Sequence, residues 1–240
     1  MTNLTVVIDH VGGLRRNMAT STPDPLSAAV LAQLAGADGI GVCMQEDSRF
    51  ISEGDVRLLR QAVHSRLVLY IPATSQMVGF ALETKPERVV LIPEKATNDP
   101  TVFGLDLAVD HHNMIETIDT LQTNGISVGV CIPADPEQAK LAHQARANWV
   151  QLHAGALRAA QSAATQAQEL ERIIDTIKMA YKLRMRIAVG NGLDYRLIKL
   201  FKGLGEIDEF SLGQSIIARA VLTGIEAAVR EMLQSIRELE

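Results

Sequence analysis

The run TVVI ends in Asp9 and His10, a carboxyl and an imidazole side by side at the edge of an apolar segment. Such a pair could pass protons near neutral pH. Similar endings recur along the chain. WVQL closes on His153, which suits an acid–base group or a structural hydrogen bond. RVVLIP closes on Glu94 and Lys95, and Lys95 suits a Schiff base or a salt bridge to Glu94 or another neighbour. The stretch GVCMQEDSRFI at 41–51 turns from apolar to charged through Cys43, Gln45, Glu46, Asp47 and Arg49. A strand empties into a loop in this way, and loops held by a scaffold often carry chemistry. With no adjacent base or cation in view, Cys43 is expected to be a packed, unreactive thiol.

Two glycine-bearing turns complete the set, Gly190-Asn191-Gly192 and Gly213-Gln214, with helices expected from about Tyr195 and from Gln214. Backbone N–H groups at such turns bind phosphate, and glycine lets the backbone come close. The plainer alternative is that these glycines serve tight turns. His111 and His112 are adjacent and diverge on a helix, so they do not form a metal pair. No His, Asp or Glu cluster has metal spacing, and neither a metal nor a cofactor is expected.

Positioning these groups takes a regular scaffold. Eight short β-branched-rich runs recur at 5–9, 39–43, 67–71, 88–92, 127–132, 149–153, 186–190 and 209–213. Their near-continuous apolar character suits parallel strands covered on both faces. Helical periodicity lies between them. Pro25–Leu34 has Asp24 as N-cap, proline at its first position and Gly36 after it. Leu170, Ile173, Ile174 and Ile177 form a stripe, and a longer one runs over 221–236. That stripe could pack on the barrel or on another subunit.

Eight βα units in 240 residues is the count of a (β/α)8 TIM barrel, an α/β fold, here a single domain over 1–240. A doubly wound sheet would want a glycine-rich fingerprint after the first strand, which VGGL is not. A long loop is expected at about 93–110, a lid or a surface excursion. Barrel sites lie at the C-terminal ends of the strands. The groups there are Asp9, His10, Cys43, Tyr70, Lys95, Asp135, His153, Asn191 and Gln214.

The bulk properties narrow the class. Net charge is −5 with no basic stripe, which argues against nucleic acid or an anionic membrane as partner. No apolar run approaches the length of a membrane span, and the first residues lack a signal-peptide pattern. The two cysteines sit inside strand-like runs and suit buried thiols in a reducing compartment. A cytoplasmic location follows as the expectation.

The segments VVIDHVGGLRR, TPDPLSAAVLAQLAGADGI, EDSRFI, ETKPERVVLIPEK, GLDLA, AGALR and SLGQSIIARAVLTGIEAAV, from 6 to 232, stand in the order and spacing of one family. The chain resembles pyridoxine 5'-phosphate synthase. The resemblance implies a (β/α)8 barrel assembled as a dimer or octamer. It also implies condensation of 1-deoxy-D-xylulose 5-phosphate with 3-amino-2-oxopropyl phosphate in vitamin B6 biosynthesis.

The family's acid–base groups are a His ending strand 2, a Glu ending strand 3 and a His after strand 7. Those places carry Cys43, Tyr70 and Asn191. The family's HLREDRRHI loop, whose basic residues serve phosphate binding and loop closure, has become CMQEDSRFI, which keeps Glu46, Asp47 and Arg49. Val7, Gln151, Ala154 and Gln214 stand for the family's Asn, Glu, Thr and His. Gly192 and Gly213 remain as phosphate-binding candidates beside Gln214.

Three functions follow in order of expectation. First is a non-catalytic homologue that binds a small phosphorylated metabolite as a homo-oligomer. Second is an enzyme with altered chemistry on a monophosphorylated carbonyl or amine, using Asp9, His10, Lys95 or His153. Third is retained pyridoxine 5'-phosphate synthesis.

Overall fold

The computed structural model describes residues 2–18, 20–45, 50–94, 104–109 and 111–239. Eight parallel strands close into a barrel in sequence order. They are β1 Asn3–Val7, β2 Gly39–Cys43, β3 Arg66–Ile71, β4 Arg88–Leu91, β5 Ser127–Ile132, β6 Trp149–His153, β7 Arg186–Gly190 and β8 Glu209–Leu212. Closure comes from β1 against β8, with Asn3 opposite Glu209 and Thr5 opposite Ser211. The helices are α1 Asp9–Asn17, α2 Pro25–Leu34, α3 Glu53–Ala62, α4 Ser75–Thr84 and α5 His111–Thr123. After them come α6 Pro136–Gln144, α7 Gly155–Ala159, α8 Ala163–Lys182, α9 Gln214–Thr223 and α10 Ile225–Arg237.

Local chemistry explains where helices start. Asp24 accepts from the N–H groups of Leu26 and Ser27 to open α2, with Pro25 supplying the fixed φ. Capping boxes open α3, between Ser52 and Asp55, and α8, between Ser162 and Thr165. Asp135, counted above among the ionisable strand-end groups, is the N-cap of α6, accepting from Glu137 N–H.

Strand alternation sorts the core into two parts. Leu4, Val6, Ile40, Val42, Leu67, Leu69, Val150 and Leu152 face outward and are fully buried beneath the helices. Inside the barrel, Val68, Tyr70, Val90 and Cys131 form a separate small cluster. Below that cluster lies a charged plug. Glu209, 0% exposed, accepts from both ends of the Arg88 guanidinium, at 3.1 and 2.9 Å, and from Arg66 at 3.1 Å. Arg88 lies 3.8 Å over the Trp149 ring, and Arg186 lies 4.8 Å from the same ring.

Several expectations are corrected. The first strand stops at Val7, and Asp9 opens α1, because Ile8 leaves the extended region and accepts from Val11 N–H. Helix α1, which carries Gly12 and Gly13, was not among the expected helices. Close packing requires Gly12, since a Cβ there would stand 2.0 Å from the Phe50 carbonyl oxygen. The helix expected from Tyr195 is a 3-10 turn, Leu197–Phe201, introduced by Asp194 accepting from the N–H of Arg196 and Leu197. The stripe at 221–236 belongs to two helices that break at Gly224, with φ 83°. Val229, Met232 and Ile236 are buried, whereas Val221 and Leu222 face solvent. Of the expected long loop, 95–103 and 110 lie outside the described residues.

Breaking a buried ion pair by neutralising one partner strands the other charge. Glu209→Gln is therefore expected to cost about 3–5 kcal/mol of unfolding free energy. The readout is a lower urea midpoint at unchanged slope. A midpoint equal to the parent's would remove the plug from the account of barrel stability.

Candidate functional site

A cavity of about 340 Å³ opens at the C-terminal end of the barrel. That volume is at the lower end of the ligand-pocket range of about 300–1,000 Å³. Asp9, His10, Cys43, Tyr70, His153, Asn191, Gly192, Gly213 and Gln214 all line it. These sequence-predicted residues are thus brought together. Gln45 is described and half-buried, but does not line the cavity. Glu46, Asp47, Arg49 and Lys95 lie outside the described residues. No group of three or more His, Cys, Asp or Glu side chains gathers to hold a metal among the described residues.

On one wall, the Cys43 backbone N–H donates to Asp9 Oδ1 at 2.7 Å. Asp9 keeps part of its surface open to the cavity and is otherwise walled by protein. Burial raises its carboxyl to about 7, against the lowering effect of the Cys43 hydrogen bond. Burial also lowers His10 from the usual imidazole value. His153 is lowered to about 4 by burial and is neutral at pH 7. Gly155 N–H donates to its Nδ1 at 3.1 Å, so the ring's proton sits on Nε2.

The two cysteines are unequal. Cys131 is buried inside the barrel, and burial pushes its thiol up to about 12. Cys43, expected to be buried, is half-buried instead, because it ends β2 at the cavity wall.

The cavity floor is a chain of neutral groups. Ser211 Oγ and Tyr70 Oη share a short hydrogen bond. The Tyr70 hydroxyl donates to Gln151 Oε1 at 3.1 Å, and Gln151 Nε2 donates to Asn191 Oδ1 at 2.8 Å. Tyr70, Gln151 and Ser211 are buried. Burial first, and the negative charge of Glu209 second, raise Tyr70 far above the usual phenol value. The phenol therefore stays protonated across the physiological range.

The opposite wall suits an anion. Asn191 and Gly192 are consecutive left-handed residues, with φ 56° and 102°. Gly213 is needed for close approach, since a Cβ there would stand 2.8 Å from the Val7 carbonyl oxygen. No side chain among the described residues caps α9, so its first-turn N–H groups lack a side-chain acceptor there. Ser215, in that first turn, has a buried hydroxyl with no hydrogen-bond partner among the described residues. Arg158 on α7 lines the cavity, and its guanidinium makes no ion pair among the described residues.

Ser211, Ser215 and Arg158 are missing from the sequence-based set. Ser211 was reachable by alternation, since Glu209 and Ser211 share the inward face of β8. Arg158 sits in the AGALR segment, but only folding shows that α7 turns it toward the mouth.

Together these features define a (β/α)8 barrel with a candidate site at the C-terminal ends of its strands. The sequence model described as pyridoxal phosphate biosynthesis protein PdxJ matches residues 4–238. Pyridoxine 5'-phosphate synthase of Desulforapulum autotrophicum is 43% identical over 239 residues, all of both chains. That of Syntrophotalea carbinolica is 44% identical over 232 residues, 97% of each chain. The chain belongs to the PdxJ family.

Among solved structures, a crystal structure of KGPDC from Streptococcus mutans aligns with a TM-score of 0.70 at 17% identity. The alignment covers 99% of this chain and 98% of that one. Phosphoribosyl anthranilate isomerase from Thermus thermophilus aligns with a TM-score of 0.62 at 15% identity over the whole of both chains. At these identities the likeness is one of fold. No helix among the described residues is long and apolar enough to cross a membrane.

Asp9 gives the site a measurable signature. Its carboxyl titrates near 3.8 unfolded and near 7 folded. Between those values the folded chain holds the extra proton, so stability falls as pH rises through the window and levels off above it. Asp9→Asn is expected to remove this slope. Its gain in melting temperature over the parent should be large at about pH 8 and small at about pH 4. A gain independent of pH would place the proton elsewhere.

Proposed function

We propose that this barrel binds one phosphorylated metabolite at its C-terminal mouth and does not perform the family's condensation. The chain Ser211–Tyr70–Gln151–Asn191 carries this reading. Two of the three positions at which the family places its acid–base groups, Tyr70 and Asn191, are joined in a network whose members exchange no proton near neutrality. Cys43, at the third, is a half-buried thiol whose backbone is tied to Asp9. General acid–base groups typically contribute about 10²–10⁴-fold each, and a condensation through imine formation and ring closure needs several transfers.

The phosphate has support of its own. Gly192, Gly213 and the uncapped start of α9 at Gln214 offer backbone donors, Ser215 a hydroxyl and Arg158 a cation. A homo-oligomer, dimer or octamer, remains part of the proposal through the family alone, and so does a cytoplasmic setting.

A second reading, an enzyme with altered chemistry, draws on Asp9. A carboxyl near 7 at a cavity wall is tuned for proton transfer at neutral pH. The two readings separate by experiment. Calorimetry is expected to show one inorganic phosphate per chain, weakened about tenfold in Arg158→Ala, as for loss of a charge-assisted hydrogen bond. No product should form from the family's two substrates. Turnover of a monophosphate that vanishes in Asp9→Asn or His153→Ala would favour the second reading. Complementation of a strain unable to make pyridoxine would restore the family's own activity, the third.

A further inference from the structure

The eight strand pairings are of two alternating kinds. From an even strand to the next odd one, first residues stand opposite: Gly39 and Arg66, Arg88 and Ser127, Trp149 and Arg186, Glu209 and Asn3. From an odd strand to the next even one, the third residue meets the first: Thr5 and Gly39, Val68 and Arg88, Gly129 and Trp149, Ala188 and Glu209. Each odd-to-even step therefore slips by two residues. Four such steps supply the shear of about eight that closes an eight-stranded barrel.

The slip leaves one residue of each odd strand below its ladder. These second residues, Leu4, Leu67, Val128 and Ile187, are 0% exposed, and a buried N–H without an acceptor is costly. In all four places the residue just before the even strand supplies a side-chain oxygen. Leu4 N–H donates to Asp38 Oδ2 at 2.8 Å and Leu67 N–H to Glu87 Oε2 at 2.9 Å. Val128 N–H donates to Asn148 Oδ1 at 2.9 Å and Ile187 N–H to Asp208 Oδ2 at 2.7 Å.

The backbone carbonyls of the same four residues accept from the next odd strand. Arg66 N–H donates to Asp38, Ser127 to Glu87, Arg186 to Asn148 and Asn3 to Asp208, at 3.4, 3.3, 3.2 and 2.9 Å. The last bond returns to β1, so the series is a ring. The charged plug is built on it. Arg88, Trp149 and Glu209 each directly follow a ring residue, and Arg66 and Arg186 each donate their N–H to one. Asn148 carries no charge, so the feature common to the four positions is an acceptor oxygen.

We infer that Asp38, Glu87, Asn148 and Asp208 are positioning residues that act together as one belt at the base of the barrel. The belt fixes the two-residue slip and, through it, the seat of the Arg66–Arg88–Glu209 plug. It requires an acceptor oxygen at each position and not a negative charge. Nothing in it depends on what binds at the mouth.

Glu87 and Asp208 also hold Arg60 and Arg186, so Asp38 is the position to vary. Residue-resolved amide hydrogen exchange on the full chain compares the parent with Asp38→Ala and Asp38→Asn. Trp149, the single tryptophan, reports on the plug through its fluorescence. In Asp38→Ala, exchange at Leu4 is expected to rise at least about tenfold relative to amides of α8. It should also rise at Leu67 and Ile187, the clasps on either side, and Trp149 emission should move to longer wavelength. Asp38→Asn keeps the oxygen, and its exchange is expected to stay within about twofold of the parent, with emission unmoved.

Unchanged protection at Leu4 in Asp38→Ala would overturn the inference. So would faster exchange confined to Leu4 with Trp149 unmoved, which would reduce the belt to four separate bonds. An equal rise throughout α8 would be a general loss of stability and would overturn it too. Where Asp38→Ala does not fold, Asp38→Asn decides. Lost protection at Leu4 or a shifted Trp149 emission in that variant would make charge the requirement and refute the belt as stated.

Discussion

Glu209 is a carboxylate with no exposed surface, at the start of the last strand, holding Arg88 and Arg66 from two strands across the barrel. Taking such charges out of water costs several kcal/mol per ion unless the geometry is nearly complete. The Arg88 fork meets the carboxylate at both oxygens, and its other face lies on Trp149 from a further strand. The barrel interior can close around this plug in one register. A one-residue slip of β8 would send Glu209 to the outer face, among apolar side chains.

The plug also governs what lies above it. Its negative member adds to burial in keeping Tyr70 protonated. That makes the phenol a donor, and the hydroxyl's single hydrogen sets the sense of the chain through Gln151 to Asn191. The interior is therefore layered: charge at the floor, neutral hydrogen bonds in the middle, and a cavity with separated ionisable walls at the mouth. Asp9, opening α1, and His153, ending β6, reach that mouth from different elements, and burial shifts them in opposite directions toward their neutral forms.

Much of this was legible before folding. Seven of the eight strand runs emerged to within one residue, because parallel strands buried on both faces leave an apolar signature, and the first was placed two residues late. The start of α2 was readable because Asp24 and Pro25 act locally. Helix α1 was not, because its glycines answer to Phe50, a residue far along the chain. The break at Gly224 was missed because a hydrophobic stripe continues across it. The candidate site residues were legible as strand ends. Ser211 was legible only through strand alternation, and Ser215 and Arg158 were not, because both lie within helices, Arg158 on a short one after β6.

The amino-acid sequence by itself determined the barrel class, the family, and which residue types stand at the mouth, since all three are carried by local pattern and order. Tertiary structure decided what those residues are to one another. No spacing in the chain says that Tyr70, Gln151, Asn191 and Ser211 meet, because their distances along the sequence are arbitrary and barrel closure alone makes them neighbours. Nor does the sequence say that Asp9 is pushed toward neutrality. Desolvation depends on the surrounding wall, and the wall exists only once eight strands have closed around the plug.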